Sequence, residues 1–559
     1  MTPAEVKSLP PGKLQDLARD VRARILEVVG TNGGHLASSL GAVELAIGLV
    51  RAFDPENDRI VWDVGHQSYA WKILTGRDNS FGTLRRHHGL SGFPNPEESP
   101  CDAFVGGHAG AALAAAQGMS AARDLRGRSE YVVAVVGEAS LANGMALEAL
   151  EAMSSFRRLI LVLNDNASSP GECGGATALP AFDRSFFESL GLAYHGPVDG
   201  NDVFAVVNAF NEARNGGRTG AEVLHFRTVK GRGYAPAEAD PVTWHGVPPH
   251  ALDASEGAAD DSWSGAFGRA LVDLARRDER VCAVVAAMPH GTGLVPFARA
   301  YPDRFFDMGI CEERAVTFAA GLAKSGMKPV VAIYSTFLQR AFDQIMHDVC
   351  ILKLPVVFAV DRAGCVGADG RTHHGMFDIP MLRCLPNMSV LQPRSEEAQS
   401  EMLAAALDAD GPVAIRWPRG PVLGGDGTRH APWGVAEQLS APEARVQLWA
   451  LGDQVAKARQ VAGILAGQGV AAGVVDARFV KPFDAALLAR QRAAGAFIAS
   501  LENGAVSGGF GEAIGADARF GWPDAFVGHG SVEELEADFG FTATDVSHRI
   551  ATALGKAGL

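Results

Sequence analysis

Tyr131-Val-Val-Ala-Val-Val136-Gly-Glu-Ala139 and Leu159-Ile-Leu-Val-Leu163-Asn-Asp-Asn166 are two short aliphatic runs, each ending in polar residues, with the helix-patterned stretch from Met145 to Met153 between them. Runs this short and this uniformly apolar read as strands buried on both faces, the condition found inside a parallel sheet. The helix between them is then a crossover, and the chain reads as α/β. The pattern recurs, with strands expected near Val281 to Ala286, Pro329 to Ile333, Val356 to Val360 and Val413 to Arg416. It recurs again near Val446 to Leu451 and within Ala471 to Pro482. A polar, proline-rich stretch from about Ala235 to Asp261 closes the first unit, and the run Gly424-Gly-Asp-Gly-Thr428 closes the second. Three α/β units follow, over 1–250, 261–425 and 440–559, which suits a chain of 559 residues.

Composition narrows the function. Hydrophobic residues make up 47% and charged residues 20%, so the bulk of the chain is globular rather than disordered. A formal charge of −14 argues against a nucleic-acid partner, which needs a basic face, although local arginines can still hold a small phosphate. Seven scattered cysteines form neither a disulfide framework nor a zinc pattern, which fits a reducing compartment. The N-terminus Met1-Thr-Pro-Ala-Glu-Val-Lys7 has no apolar signal core, and no apolar run reaches the ~18 residues that span a bilayer. A cytoplasmic protein with no membrane partner is expected.

Glu312 stands in Gly309-Ile-Cys-Glu-Glu-Arg-Ala-Val-Thr-Phe-Ala-Ala-Gly321, at the threshold of an apolar helix. Most glutamates in a first helical turn serve the helix dipole. A buried one has a second use, because a carboxyl bonded to a heterocyclic ring nitrogen is what thiamine diphosphate needs to reach its active tautomer. The text downstream favours that use. Tyr334-Ser-Thr-Phe-Leu-Gln-Arg-Ala-Phe-Asp-Gln344 and Asp361-Arg-Ala-Gly-Cys-Val-Gly-Ala-Asp-Gly-Arg-Thr-His-His-Gly375 follow it, and Gly33-Gly-His-Leu-Ala-Ser-Ser-Leu-Gly-Ala-Val-Glu44 and Trp62-Asp-Val-Gly-His-Gln67 precede it. With these segments the chain resembles the 1-deoxy-D-xylulose-5-phosphate synthase family of transketolase-like thiamine enzymes, from Leu14 to about Leu554. The resemblance implies three stacked α/β domains with mainly parallel sheets, an active site between the first and second, and a homodimer. It implies thiamine diphosphate with Mg²⁺, or alternatively Mn²⁺, as cofactors, and pyruvate and a phosphorylated aldehyde, D-glyceraldehyde 3-phosphate, as substrates.

The family's Gly-Asp-Gly and Asn metal positions fall here on Gly137-Glu138-Ala139 and Asn166, with the carbonyl of Ser168 as a third ligand. Glu138 is one methylene longer than Asp, and Ala139 adds a methyl where glycine lets the backbone approach closely. Three further departures mark a divergent member. Ala239 replaces a cation common near the diphosphate, Gly106-Gly-His108-Ala-Gly110 lacks the usual hydroxyls, and the stretch from Asn166 to Gly196-Pro-Val-Asp-Gly200 is some tens of residues short.

The resemblance also implies roles for single residues. Gly107, His108, His66, Met288 and Phe337 would face the cofactor, Phe337 by stacking on the aminopyrimidine, though an aromatic in this apolar run equally suits a core. His35, His66, His245 and His373 are the proton-transfer candidates, since imidazole titrates near neutrality, although any single histidine is more often a structural hydrogen-bonder. Arg362 and Arg419 match the phosphate-binding positions, where a planar guanidinium fork suits phosphate oxygens. Tyr334 and Arg340 are placed nearer the reacting centre, and Asp369 would fix substrate hydroxyls or His373. Two other readings stay open: a related carboligase with another acceptor aldehyde or ketoacid, and a catalytically silent relative.

Overall fold

The computed structural model describes residues 1–166, 182–250, 252, 260–422 and 432–556. The chain gathers into two compact units, one mostly the N-terminal half, which also takes Ala368–Thr372, and one mostly the C-terminal half.

In the first unit a five-stranded parallel sheet runs in the order Arg59–Trp62, Val132–Gly137, Leu159–Asp165, Glu222–Arg227, Ala193–Asp199. The two opening runs are its central strands, each flanked on both sides. Their side chains alternate between two cores. Val133, Val135, Ile160 and Val162 join a core with Ile47, Val206 and Phe210, from helices Val43–Ala52 and Val203–Asn215. Val132, Ala134, Leu159 and Leu161 join another with Leu113, Ala116 and Leu150, from helices Ala112–Leu125 and Gly144–Ala152. Each buried Val, Leu, Ile or Phe side chain contributes about 1.5–3 kcal/mol, which is why an unbroken apolar run specifies a central strand here. Separately, Gly34–His35 pairs antiparallel with Gly246–Val247, drawing two distant pieces of chain into one ribbon.

The second unit holds two sheets. The larger runs Phe479–Lys481, Ser389–Leu391, Val413–Arg416, Val357–Asp361, Lys328–Tyr334, Val281–Val285, Phe305–Asp307, parallel except at its first pair. The smaller runs Glu437–Ser440, Ala472–Asp476, Val446–Ala450, Phe497–Ala505, Ala518–Trp522, again parallel except at its first pair. Mainly parallel α/β architecture is therefore observed throughout. The stretch from Ala471 to Pro482 divides between the sheets: Ala472–Asp476 lies in the smaller and Phe479–Lys481 closes the edge of the larger. Arg478, at φ 58°, makes the turn between them.

Candidate active site

In the first unit the ribbon places His35 opposite Gly246, the neighbour of His245. Three imidazoles then cluster: ring centroids lie 5.8 Å apart for His35 and His245, 6.0 Å for His35 and His66, and 5.2 Å for His66 and His245. Removal from water, assisted by the neighbouring charge of Lys230, pushes His245 down to about 3. His66 is driven well below the usual imidazole range by burial first, then by the other two histidines and Lys230. Both are therefore neutral at pH 7 and can accept as well as donate a proton. His66 Nδ1 is buried with no hydrogen-bond partner among the described residues, while Ser38 Oγ lies 3.2 Å from His245 Nδ1. A buried ring nitrogen left open is costly unless a ligand meets it.

The register Gly137 opposite Asn164 brings the C-terminal ends of the two central strands side by side, where open α/β sheets place their ligands. Glu138 opens the short helix Glu138–Leu141, is buried, and its Oε2 accepts from the Asn166 backbone N–H at 3.4 Å. Ala139 sits in that helical turn, half-buried, so its methyl meets no backbone strain. Below them Thr228 Oγ1 donates to Asn164 Oδ1 at 2.7 Å, and Asn164 Nδ2 donates to Gln67 Oε1 at 2.8 Å. A carboxylate and an amide residue at adjacent strand ends, both oxygen donors, form a donor set that suits a hard divalent cation completed by phosphate oxygens. Ser168 lies outside the described residues.

The glycine-rich turn is built by close approach. A side chain on Gly107, at φ +140°, would meet Thr372 at 2.5 Å, and one on Gly110, at φ +86°, would meet Asn143 at 2.4 Å. Asp63 accepts from the backbone of Gly110 at 2.9 Å and of Ala112 at 3.0 Å, anchoring the start of helix Ala112–Leu125. His108 Nε2 lies 2.9 Å from the Thr372 carbonyl. Asp369 is ion-paired with the largely buried Arg85.

In the second unit one edge of the larger sheet collects the other candidates. Five adjacent parallel strands lead in spatial order to Arg419, Arg362, Tyr334, Met288 and Glu312. Glu312, 4% exposed, opens helix Glu312–Lys324, and Arg340 Nη1 approaches its carboxylate at 3.3 Å. Burial raises its pKa, opposed by the Arg340 charge. Such a carboxyl can keep a proton to share with a ring nitrogen. Tyr334 stacks on Phe337 with ring centroids 5.6 Å apart, and Phe337 meets His373 edge to face at 5.6 Å. The Arg362 guanidinium lies 4.0 Å from the Tyr334 ring centre, on a backbone at φ 57°. Beneath it Asp361 is pushed up to about 6 by burial, and Ser264 Oγ donates to it at 2.6 Å. Met288 lines the same edge, since a side chain on Gly291 would meet both it and the Tyr334 hydroxyl.

Some supporting groups were not picked out from the sequence: Lys230, Asp63, Gln67, Asn164, Thr228 and Arg85. Asp63, Gln67 and Asn164 carried a visible signal, being polar residues at the ends of strands. Lys230 supplies a cation to the histidine cluster, which bears on the one expected at Ala239.

A 1-deoxy-D-xylulose-5-phosphate synthase model matches residues 1–181 and 177–228, the pyrimidine binding domain of transketolase matches 260–423, and the transketolase C-terminal domain matches 434–546. The 1-deoxy-D-xylulose-5-phosphate synthase 2 of Geobacter sulfurreducens is 42% identical over 99% of this chain and 98% of its own. The 1-deoxy-D-xylulose-5-phosphate synthase of Desulforudis audaxviator is 43% identical over 97% and 95%. A crystal structure of transketolase from Campylobacter jejuni aligns over 97% of this chain and 100% of its own at 18% identity, with a TM-score of 0.48. The chain belongs to the 1-deoxy-D-xylulose-5-phosphate synthase family.

Proposed function

We propose, from that membership, that the protein is a thiamine diphosphate-dependent transferase that joins pyruvate to D-glyceraldehyde 3-phosphate with loss of carbon dioxide, forming 1-deoxy-D-xylulose 5-phosphate. The observation that carries the reading is the order of strand ends in the second unit, which runs from two arginines to a buried carboxyl. Thiamine diphosphate, when bound, supplies the nucleophilic carbon and the electron sink that decarboxylation needs, with Mg²⁺ or Mn²⁺ carrying the charge of its diphosphate.

The chain's own groups have separable duties. Glu312 holds a proton toward the pyrimidine ring nitrogen, and Arg340 limits how far burial raises that carboxyl. Phe337 offers a face for the ring. Glu138 and Asn166 would hold the divalent ion, and the buried Nδ1 of His66 would offer the bound cofactor a hydrogen-bonding nitrogen. In the first unit, His35, His66 and His245 hold and move protons at the substrate oxygens, the last two remaining neutral at working pH. In the second unit, His373 is a further proton-transfer candidate, and Arg362 and Arg419 clamp the acceptor's phosphate by charge-assisted hydrogen bonds. The working protein is a homodimer.

Replacing Arg419 with alanine tests the acceptor. The KM for a phosphorylated aldehyde should rise about tenfold or more, because each charge-assisted hydrogen bond is worth roughly 1.5–3 kcal/mol, while an unphosphorylated aldehyde is barely affected. Equal damage to both would make Arg419 structural, and a wild-type enzyme indifferent to the phosphate would favour a carboligase with another acceptor.

A further inference from the structure

Asn503 lies far along the chain from every residue named above as touching substrate, in the strand Phe497–Ala505 of the smaller sheet. It is 6% exposed, and each polar atom of its side chain is committed. Its Oδ1 accepts from the backbone N–H of Cys365 at 3.1 Å and from Trp522 Nε1 at 2.9 Å, and its Nδ2 donates to Asp453 at 3.2 Å. Its own backbone carbonyl accepts from the fully buried Arg416 at 2.7 Å, so the main chain is held as well as the amide.

The segment that Asn503 grips begins at Arg362. Gly364, at φ +76°, presses its bare Cα face onto the amide, and a side chain there would come within 2.0 Å of Asn503 Oδ1. Beyond it the segment is cross-tied at short range. Gly364 and Gly375 exchange backbone hydrogen bonds at 2.7 and 2.8 Å, and the Ala363 N–H reaches the Trp417 carbonyl at 2.9 Å. The Val366 N–H donates to His374 Nδ1 at 3.1 Å, and Arg419 Nη1 reaches the Val366 carbonyl at 3.5 Å. Arg362 and Val366 thus stand on either side of the Asn503 grip. His373 leaves the same knot through Gly375.

We infer that Asn503 is a positioning residue for acceptor recognition: by gripping Gly364 and Cys365 it sets the backbone from which Arg362 and Arg419 address the phosphorylated aldehyde. This rests on the phosphate-clamp reading above. The chemistry of an amide explains the choice of residue. One side chain must accept two N–H groups that point at it and donate to a carboxylate behind it, which neither Asp nor Leu can do at this volume. Losing the grip frees a segment with a left-handed non-glycine residue, Arg362, whose conformation persists only while its surroundings enforce it.

Two variants separate positioning from general support. Asn503→Ala removes the grip, whereas Trp522→Phe removes the indole donor and leaves Cys365 bonded. For Asn503→Ala we expect a tenfold or greater rise in KM for the phosphorylated aldehyde, with KM for pyruvate and for an unphosphorylated aldehyde within about twofold of the parent. Amide exchange of the peptide spanning 362–367 should speed up at least tenfold. Trp522→Phe should lower the melting temperature yet keep both the KM preference and the slow exchange. If Asn503→Ala kept the phosphate preference while the parent showed one, or damaged all substrates alike, or matched Trp522→Phe in every readout, the inference would be overturned. A parent with no phosphate preference would overturn it together with the clamp reading, and unchanged exchange in Asn503→Ala would remove the grip itself.

Discussion

At Glu312 two effects oppose each other, since a helix N-terminus favours the charged form and burial the neutral one, and the net shift is upward. A merely dipole-serving glutamate would sit in water. Glu312→Gln should therefore leave folding intact while lowering turnover about a hundredfold or more, the usual scale of general acid–base effects. Wild-type turnover in that variant would transfer the role to another residue. His245 gives a pH test. Its folded value of about 3 lies below the ordinary 6.5, so between these values the unfolded chain binds a proton that the folded one refuses. Stability from this group is full above pH 6.5 and is lost as pH falls toward 3. His245→Asn should flatten the fall of the urea midpoint between pH 6.5 and 5, and a steeper fall in the variant would refute the buried neutral imidazole.

Among elements, the central strands of the first sheet were readable because both faces are buried, leaving an apolar run with nothing to interrupt it. The ribbon between Gly34–His35 and Gly246–Val247 was not readable, since two-residue strands carry no period, and it brings His35 and His245 together with the bond from the Leu36 N–H to the His245 carbonyl at 3.2 Å. The loop Gly137-Glu138-Ala139 carries an extra methylene and an extra methyl relative to the family's Gly-Asp-Gly. The helical turn at Ala139 absorbs the methyl, which leaves the longer carboxylate as the geometric difference. Glu138→Asp with Ala139→Gly should tighten binding of thiamine diphosphate in the presence of Mg²⁺, measured by titration calorimetry, as the shorter arm lets the ion sit where Asn166 can share it. Weaker binding in the double variant would mean that the loop is built around Glu138.

For the whole molecule, the α/β class and a glutamate at the threshold of an apolar helix could be read from local text, whereas the burial of that glutamate and the pairings around the candidate site could not. Arg85 with Asp369 and Asn503 with Cys365 join residues hundreds or more than a hundred positions apart, and no periodicity records such a partner. No helix among the described residues is long and apolar enough to cross a membrane. A ligand that binds only the folded chain stabilises it by mass action, about 2.7 kcal/mol at a concentration a hundredfold above Kd. At roughly 2–4 °C per kcal/mol for folded units of ordinary size, saturating thiamine diphosphate with Mg²⁺ should raise the melting temperature by about 5 °C or more. Chelating the ion should abolish most of that rise, because Glu138 and Asn166 would reach the diphosphate through the metal. A rise that survives chelation would free those two residues from metal duty. No rise at millimolar cofactor would identify a silent relative that keeps the fold, with Glu312 and the arginines retained for some purpose other than turnover.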